Sequence, residues 1–135
     1  MRQELRVPRR PLVAIVDDDK SIRDTTKDLL ESAGFAAATF ASAEALLASR
    51  RLDKISCLIT DMRMSGMTGF ELCQELIASN RAIPAILITA YPDERIRAQA
   101  MKVNIACYLA KPFPADQLLS CVRSAIREPR GGGTA

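Results

Sequence analysis

The stretch Ile55-Ser-Cys-Leu-Ile-Thr-Asp61 most restricts what this chain can fold into. Four of its first six residues are apolar and a carboxylate follows directly, the pattern of a strand buried on both faces that delivers Asp61 to its carboxyl end. A Gly-containing loop, Met62 to Gly69, comes next and leads into a helical pattern, so the carboxylate stands at a strand-to-helix crossover. In open α/β sheets that edge is where ligands and chemistry collect.

The remaining chain repeats the arrangement. Leu12–Val16 is a short apolar run closed by Asp17-Asp18-Asp19; Ile22, Thr25, Thr26, Leu29, Leu30 and Ala33 then recur at helical spacing, with Asp18 or Asp19 as cap and Gly34 as stop. Phe35–Phe40 reads as a second strand. Ser42 caps a short helix to about Ser49 with Ala45, Leu46 and Leu47 turned inward, and residues 50–54 form a polar link. Beyond the Asp61 loop, Thr68-x-x-Glu71 has the form of a capping box, opening a helix with Phe70, Cys73, Leu76 and Ile77 on one face that ends near Asn80. Pro84–Thr89 is another buried strand. Pro92-Asp93-Glu94 opens a helix to about Lys102 with Asn104 as a left-handed stop, Ala106–Ala110 is the fifth strand, and Pro114 begins a helix that turns Leu118, Cys121, Val122, Ala125 and Ile126 to the core. Strand and helix alternate five times, which predicts one α/β domain with a parallel sheet and helices on both faces. Right-handed crossovers place every strand's carboxyl end on one edge, which gathers Asp17, Asp18, Asp61, Thr89 and Lys111.

Composition narrows the function. Residues 1–11 hold four arginines against one glutamate, leaving 15 basic and 15 acidic groups on the other 124 residues, so the net charge of +3 belongs to a leader and the fold itself is neutral. Nucleic-acid binding by this chain alone is not expected from that distribution. Neither a run of about 18 apolar residues nor a secretion signal is present, so no membrane partner and a cytoplasmic location are expected. The chain has no histidine and no C-x-x-C pair, and each of its four cysteines (57, 73, 107 and 121) lies in an apolar stretch, which predicts buried reduced thiols and no zinc.

Three carboxylates at adjacent strand ends repel one another unless a cation sits among them. Mg²⁺ suits such a set, since it takes oxygen ligands and is held by one or two carboxylates plus a phosphate. Asp61 would keep an oxygen free to attack phosphorus and form an aspartyl phosphate. The transferred oxygens would then be neutralised by Mg²⁺, by the Lys111 ammonium, and by the Thr89 hydroxyl with the Ala90 backbone N–H.

Val16-Asp17-Asp18, Ile59-Thr60-Asp61-x-x-Met64, Gly69, Ile88-Thr89-Ala90 and Tyr108-x-x-Lys111-Pro112-Phe113, taken together, resemble the receiver domain of two-component response regulators over about residues 11–127. The resemblance implies a flavodoxin-like fold, with five parallel strands in the order 2-1-3-4-5 and five helices on both faces. It implies that Asp61 accepts a phosphoryl group from a phosphohistidine on a sensor histidine kinase or phosphotransfer protein. Asp18 would be a direct Mg²⁺ ligand, Asp17 would act through water, and the Arg63 main-chain carbonyl would be a further ligand; Thr89 and Lys111 would bind the phosphoryl group. It also implies a cis Lys111–Pro112 bond and a coupled movement of Thr89 and Tyr108 that remodels the 93–102 helix, the fifth strand and the 114–127 helix as a partner or homodimer face.

Residues 1–10 are then a flexible basic leader and 128–135 a flexible Gly-rich tail, and the chain is either stand-alone or the receiver part of a longer regulator with a DNA-binding module. Two departures from the family's pattern stand out. Ser65 replaces a usual proline, and Asn104-Ile105 replaces a usual Gly-Ala. Met62 and Tyr91 are placed to shield an acyl phosphate, so slow self-dephosphorylation is expected. A turnover phosphatase is excluded by Arg63, which occupies the position where an acid/base aspartate would be needed. A dinucleotide site is excluded because Asp17–Lys20 has no glycine.

Overall fold

The computed structural model describes residues 10–100, 102 and 105–127. Five strands, β1 (Leu12–Val16), β2 (Ala36–Phe40), β3 (Ile55–Asp61), β4 (Ala85–Thr89) and β5 (Ile105–Ala110), alternate with five helices, α1 (Lys20–Ser32), α2 (Ala43–Leu47), α3 (Gly69–Ala78), α4 (Glu94–Ala100) and α5 (Ala115–Arg127). The strands form one parallel sheet in the order β2-β1-β3-β4-β5. The fold class expected from the alternation is the one observed.

Successive strand residues point to opposite sheet faces, and the core is accordingly two layers. Ala14, Val16, Leu58 and Leu87 meet Leu46 of α2, Leu72 and Leu76 of α3 and Ala100 of α4 on one face. Val13, Ile15, Ile59 and Ile86 meet Leu30 of α1 and Leu118, Val122 and Ala125 of α5 on the other. Helix starts follow local chemistry. Asp19 Oδ1 accepts from the Ser21 and Ile22 N–H groups, Ser42 Oγ accepts from Ala45 N, and the Thr68/Glu71 capping box is complete in both directions. Gly34, after the end of α1, has φ +97°, a conformation costly to residues with a Cβ.

Two inward-facing assignments change. Ala45 is exposed and Ala43 buried instead, because α2 is only five residues long and presents its first residue to the sheet. In α3, Leu72 is fully buried while Ile77 is 42 % exposed: the face in contact runs through Gly69, Leu72, Cys73 and Leu76, rotated from the expected one. Leu72→Ala is therefore expected to cost about 2–5 kcal/mol in chemical denaturation, and Ile77→Ala less than about 1 kcal/mol; equal losses would mean the helix is rotated as first expected. The polar link also contains a 3-10 turn, Leu52–Lys54, that buries Leu52.

The cysteine expectation is corrected in part. Cys57 and Cys73 carry buried thiols, but Cys107 and Cys121 are half-buried and joined as a disulfide, with Cα atoms 6.2 Å apart. Each lies in its own apolar segment, and packing α5 on β5 brings the two together. The expected leader (all but Arg10), the Asn104 stop and the Gly-rich tail lie outside the described residues.

Candidate functional site

Strand register determines where the site forms. Val16 is level with Thr60, Asp61 with Ile88, and Thr89 with Ala110. The residues just beyond β1 and β5 (Asp17, Asp18, Lys111) and the last residues of β3 and β4 (Asp61, Thr89) therefore come out at one sheet edge, as expected from the crossovers.

The Lys111 side chain meets that of Asp61, with Nζ 3.1 Å from Oδ1 and side chains 32 % and 14 % exposed. Lys111 is further held by its backbone N–H, which donates to Thr89 O at 2.8 Å, and the Lys111–Pro112 bond is cis, as the resemblance implied. Asp61 is fixed from behind. The next residue's N–H, of Met62, donates to Ile88 O at 2.7 Å, and Gly69 N donates to Met62 O at 3.0 Å. A Cβ on Gly69 would collide with the Asp61 carbonyl, so α3 starts where only a glycine lets it approach β3.

Asp17 is buried, and its Oδ1 accepts from Asp19 N at 2.9 Å. Burial is the main cause that pushes its carboxyl above the ordinary range; the Asp19 N–H and the Lys111 charge oppose that, and the neighbouring Asp61 and Asp18 charges add to it. Asp18 is exposed, and its Oδ2 accepts from Ser65 N at 3.4 Å. Thr89 is buried, with Oγ1 accepting from Tyr91 N at 3.0 Å, while Ala90 is exposed. Tyr108 is half-buried on β5 and its hydroxyl accepts from Asp93 N at 3.4 Å. Thr89, Tyr91, Ile96 and Tyr108 line one cavity beside Met62 and Arg63. Thr89 and Tyr108 thus share a space without bonding to each other, and the Thr89 hydroxyl is turned to Tyr91.

Three interactions had no signal in the sequence. Arg23, the fourth residue of α1, donates from Nη1 to Asp17 O at 2.8 Å and braces the acidic turn. The Ser65 N–H reaches Asp18 across 47 residues, a bond that proline at that position would lack. The Arg63 guanidinium lies 5.2 Å from the centre of the Tyr91 ring, and both residues line the cavity that Met62 and Thr89 also line.

The donor set suits a hard cation. It consists of carboxylate oxygens, one of them buried with its carboxyl raised. Among the described residues no three His, Cys, Asp or Glu side chains close around a single point. An ion there would lean on one or two carboxylates and complete its shell with water and ligand oxygens, which is how Mg²⁺ is usually held. Because the Asp17 carboxyl is raised on folding, its ionisation opposes folding: the stability it contributes is complete below the unfolded carboxyl's range and is lost as pH rises through the folded value. Asp17→Asn is expected to raise the Tm of the metal-free chain at neutral pH, and to reduce the gain in Tm on adding Mg²⁺. A lower Tm in the metal-free variant would contradict the assigned cause.

A parallel sheet of this order, with charged groups gathered at its carboxyl edge, is a doubly wound α/β domain of the flavodoxin type. Comparison with known proteins narrows the class. Residues 13–123 match the response regulator receiver domain family. The chain is 34 % identical over 116 residues to the transcriptional regulatory protein FixJ of Bradyrhizobium diazoefficiens, covering 86 % of this chain and 57 % of that one. It is 37 % identical over 120 residues to the C4-dicarboxylate transport transcriptional regulatory protein DctD of Rhizobium meliloti, covering 89 % of this chain and 26 % of that one. Among solved structures, the response regulator StyR superposes with a TM-score of 0.81 at 41 % identity, over 87 % of this chain and 60 % of that chain. FixJ-N superposes at 0.80 with 31 % identity, over 90 % and 98 %. The chain belongs to the response regulator receiver domain family. It spans 57 % and 26 % of the length of these two relatives.

Proposed function

We propose that the chain is a phosphoacceptor switch of a two-component system, in which Asp61 takes a phosphoryl group from a phosphohistidine on a sensor histidine kinase or phosphotransfer protein. The observation that carries this reading is the 3.1 Å pairing of the Lys111 ammonium with a partly exposed Asp61 carboxylate at the acidic edge. The Lys111 ammonium holds one Asp61 oxygen and leaves the carboxylate's other oxygen to act as the nucleophile. A carboxylate oxygen attacks phosphorus as the P–N bond breaks, and the electron pair of that bond stays on the imidazole nitrogen. The Lys111 ammonium meets one phosphoryl oxygen. The Thr89 hydroxyl, whose oxygen already accepts from Tyr91 N, has its proton left to donate to another, beside the Ala90 backbone N–H.

Asp17, Asp18, Asp61 and the Arg63 main-chain carbonyl are the groups that would hold Mg²⁺. When bound, the ion supplies positive charge against the phosphoryl oxygens. Met62 and Tyr91, with Arg63 stacked on the Tyr91 ring, line the cavity beside Thr89 and would slow attack by water on the acyl phosphate. The chain consumes one phosphoryl group per cycle and acts as a signalling switch, not a turnover enzyme.

Switching follows from the same contacts. Drawing Thr89 toward the phosphoryl group gives up its bond with Tyr91 N and enlarges the space it shares with Tyr108. Tyr108 can enter that space by leaving Asp93 N, which alters the surface of α4, β5 and α5. That surface is the partner or homodimer face. The reading places the domain in the cytoplasm, where it regulates transcription through a partner or an attached module, as the names of its FixJ and DctD relatives suggest. Its neutral fold itself makes no nucleic-acid contact.

Beryllofluoride, a non-covalent mimic of the phosphoryl group, tests acceptor and switch together. With Mg²⁺ it is expected to bind wild type and shift the Tyr108 ring resonances in NMR, and to leave them unmoved in Thr89→Ala despite binding. No Mg²⁺-dependent binding in wild type would overturn the reading.

A further inference from the structure

The four cysteines divide into two chemistries. Cys57 on β3 and Cys73 on α3 are buried, and burial pushes the Cys73 thiol up to about 12, where it stays protonated and inert. Cys107 on β5 and Cys121 on α5 are half-buried and bridged to each other. Their Cα separation of 6.2 Å lies inside the span that a disulfide bridges without backbone movement, about 4.4–6.8 Å. A domain with two complete apolar layers does not need a covalent staple to fold. The bridge therefore calls for a different explanation.

We infer that Cys107 and Cys121 form a reversible thiol–disulfide exchange site that sets how tightly α5 is held to β5. Its partner is a low-molecular-weight disulfide or thiol of the glutathione class. In the oxidising direction one cysteine thiolate attacks a sulfur of the partner disulfide, expels one partner thiolate, and leaves a mixed disulfide on the protein. The second cysteine thiolate then attacks the protein sulfur of that bond and expels the other partner thiolate. One intramolecular S–S bond forms, one partner S–S bond is reduced, and the two protons go to the two released thiols. Half-burial leaves the sulfurs within reach of a small reagent, whereas Cys57 and Cys73 are enclosed.

The bridge spans a decisive segment. The two cysteines are 14 residues apart, and the loop they close contains Tyr108, Lys111 and the first half of α5. Reduced, α5 rests on the sheet through apolar contacts such as Leu118, Val122 and Ala125; oxidised, it is also tied to the strand that carries Tyr108. The assignment stands whether or not Asp61 is a phosphoacceptor, because its test uses no phosphoryl donor.

The full chain is equilibrated in a series of reduced-to-oxidised glutathione ratios, quenched with acid, alkylated with a maleimide and mapped by peptide mass. In parallel, amide exchange over residues 115–127 is followed in the most reduced and most oxidised samples. Cys107 and Cys121 are expected to lose and regain their thiols together, with Cys57 and Cys73 alkylated throughout after unfolding. Exchange in α5 is expected to slow about tenfold or more in the oxidised sample. Cys107→Ser and Cys121→Ser, which replace a partly exposed sulfur with a similar-sized group, are expected to show no such redox difference. A pair locked in one state across the series, a stable mixed disulfide with glutathione, or a bridge that leaves α5 exchange unchanged would each overturn the proposal.

Discussion

Asp61→Asn is expected to abolish labelling by acetyl phosphate in the presence of Mg²⁺: intact mass should show one added phosphoryl group on wild type and none on the variant, a fall in rate of at least about a hundredfold. An amide has no anionic oxygen to form the bond to phosphorus, although its shape and hydrogen-bonding reach are nearly those of the acid. The variant should remain folded. It loses a partly exposed pairing with Lys111, which is worth little. It also removes one of the charges that push the buried Asp17 carboxyl upward. A thermal melt close to that of wild type would therefore assign the loss to chemistry. Labelling of the Asn variant at the wild-type rate would place the acceptor elsewhere.

Gly69→Ala is the second large effect, and it acts on stability and on the site together. The new Cβ would collide with the Asp61 carbonyl and sit 3.0 Å from Leu87 Cδ1. The first of these is strand backbone and the second is a fully buried side chain, so neither moves aside cheaply. Overpacking of this kind costs about 1–3 kcal/mol or more, a fall in Tm on the order of 5–15 °C. Relief comes by pushing the start of α3 away from β3, which disturbs the Met62 to Thr68 loop beside Asp61, so acetyl phosphate labelling should slow as well. Gly34→Ala is the control. Its φ of +97° also disfavours alanine, but no atom lies within 4 Å of the added carbon and the site is remote. It should lower Tm by less and leave labelling unchanged. Equal effects at both positions would mean that backbone conformation, not the contact with Asp61, makes Gly69 necessary.

The elements were legible wherever local chemistry decides them. β3 runs from Ile55 to Asp61 as its apolar run and terminal acid indicate, and the Asp19, Ser42 and Thr68 caps all form. Each of these depends on residues within one helical turn or one strand. Helix orientation was less legible. The apolar residues of α3 allow two overlapping faces, and contact with the sheet selects Leu72 over Ile77. The site residues were legible as a set because parallel strands with right-handed crossovers end on one side, and register then brings Lys111 to Asp61.

The order of apolar runs, acids and glycines in this chain by itself determined a parallel α/β sheet and the edge at which Asp17, Asp18, Asp61, Thr89 and Lys111 come out, because strand burial and crossover handedness leave few alternatives. Only the tertiary structure decided the bridge between Cys107 and Cys121, the Ser65 bond to Asp18, the Arg23 brace on Asp17 and the Arg63 stack on Tyr91. Each of the four depends on the packing of a helix or the path of a loop beside its strand. That geometry is set by the summed contacts of two apolar layers and leaves no periodicity in the sequence.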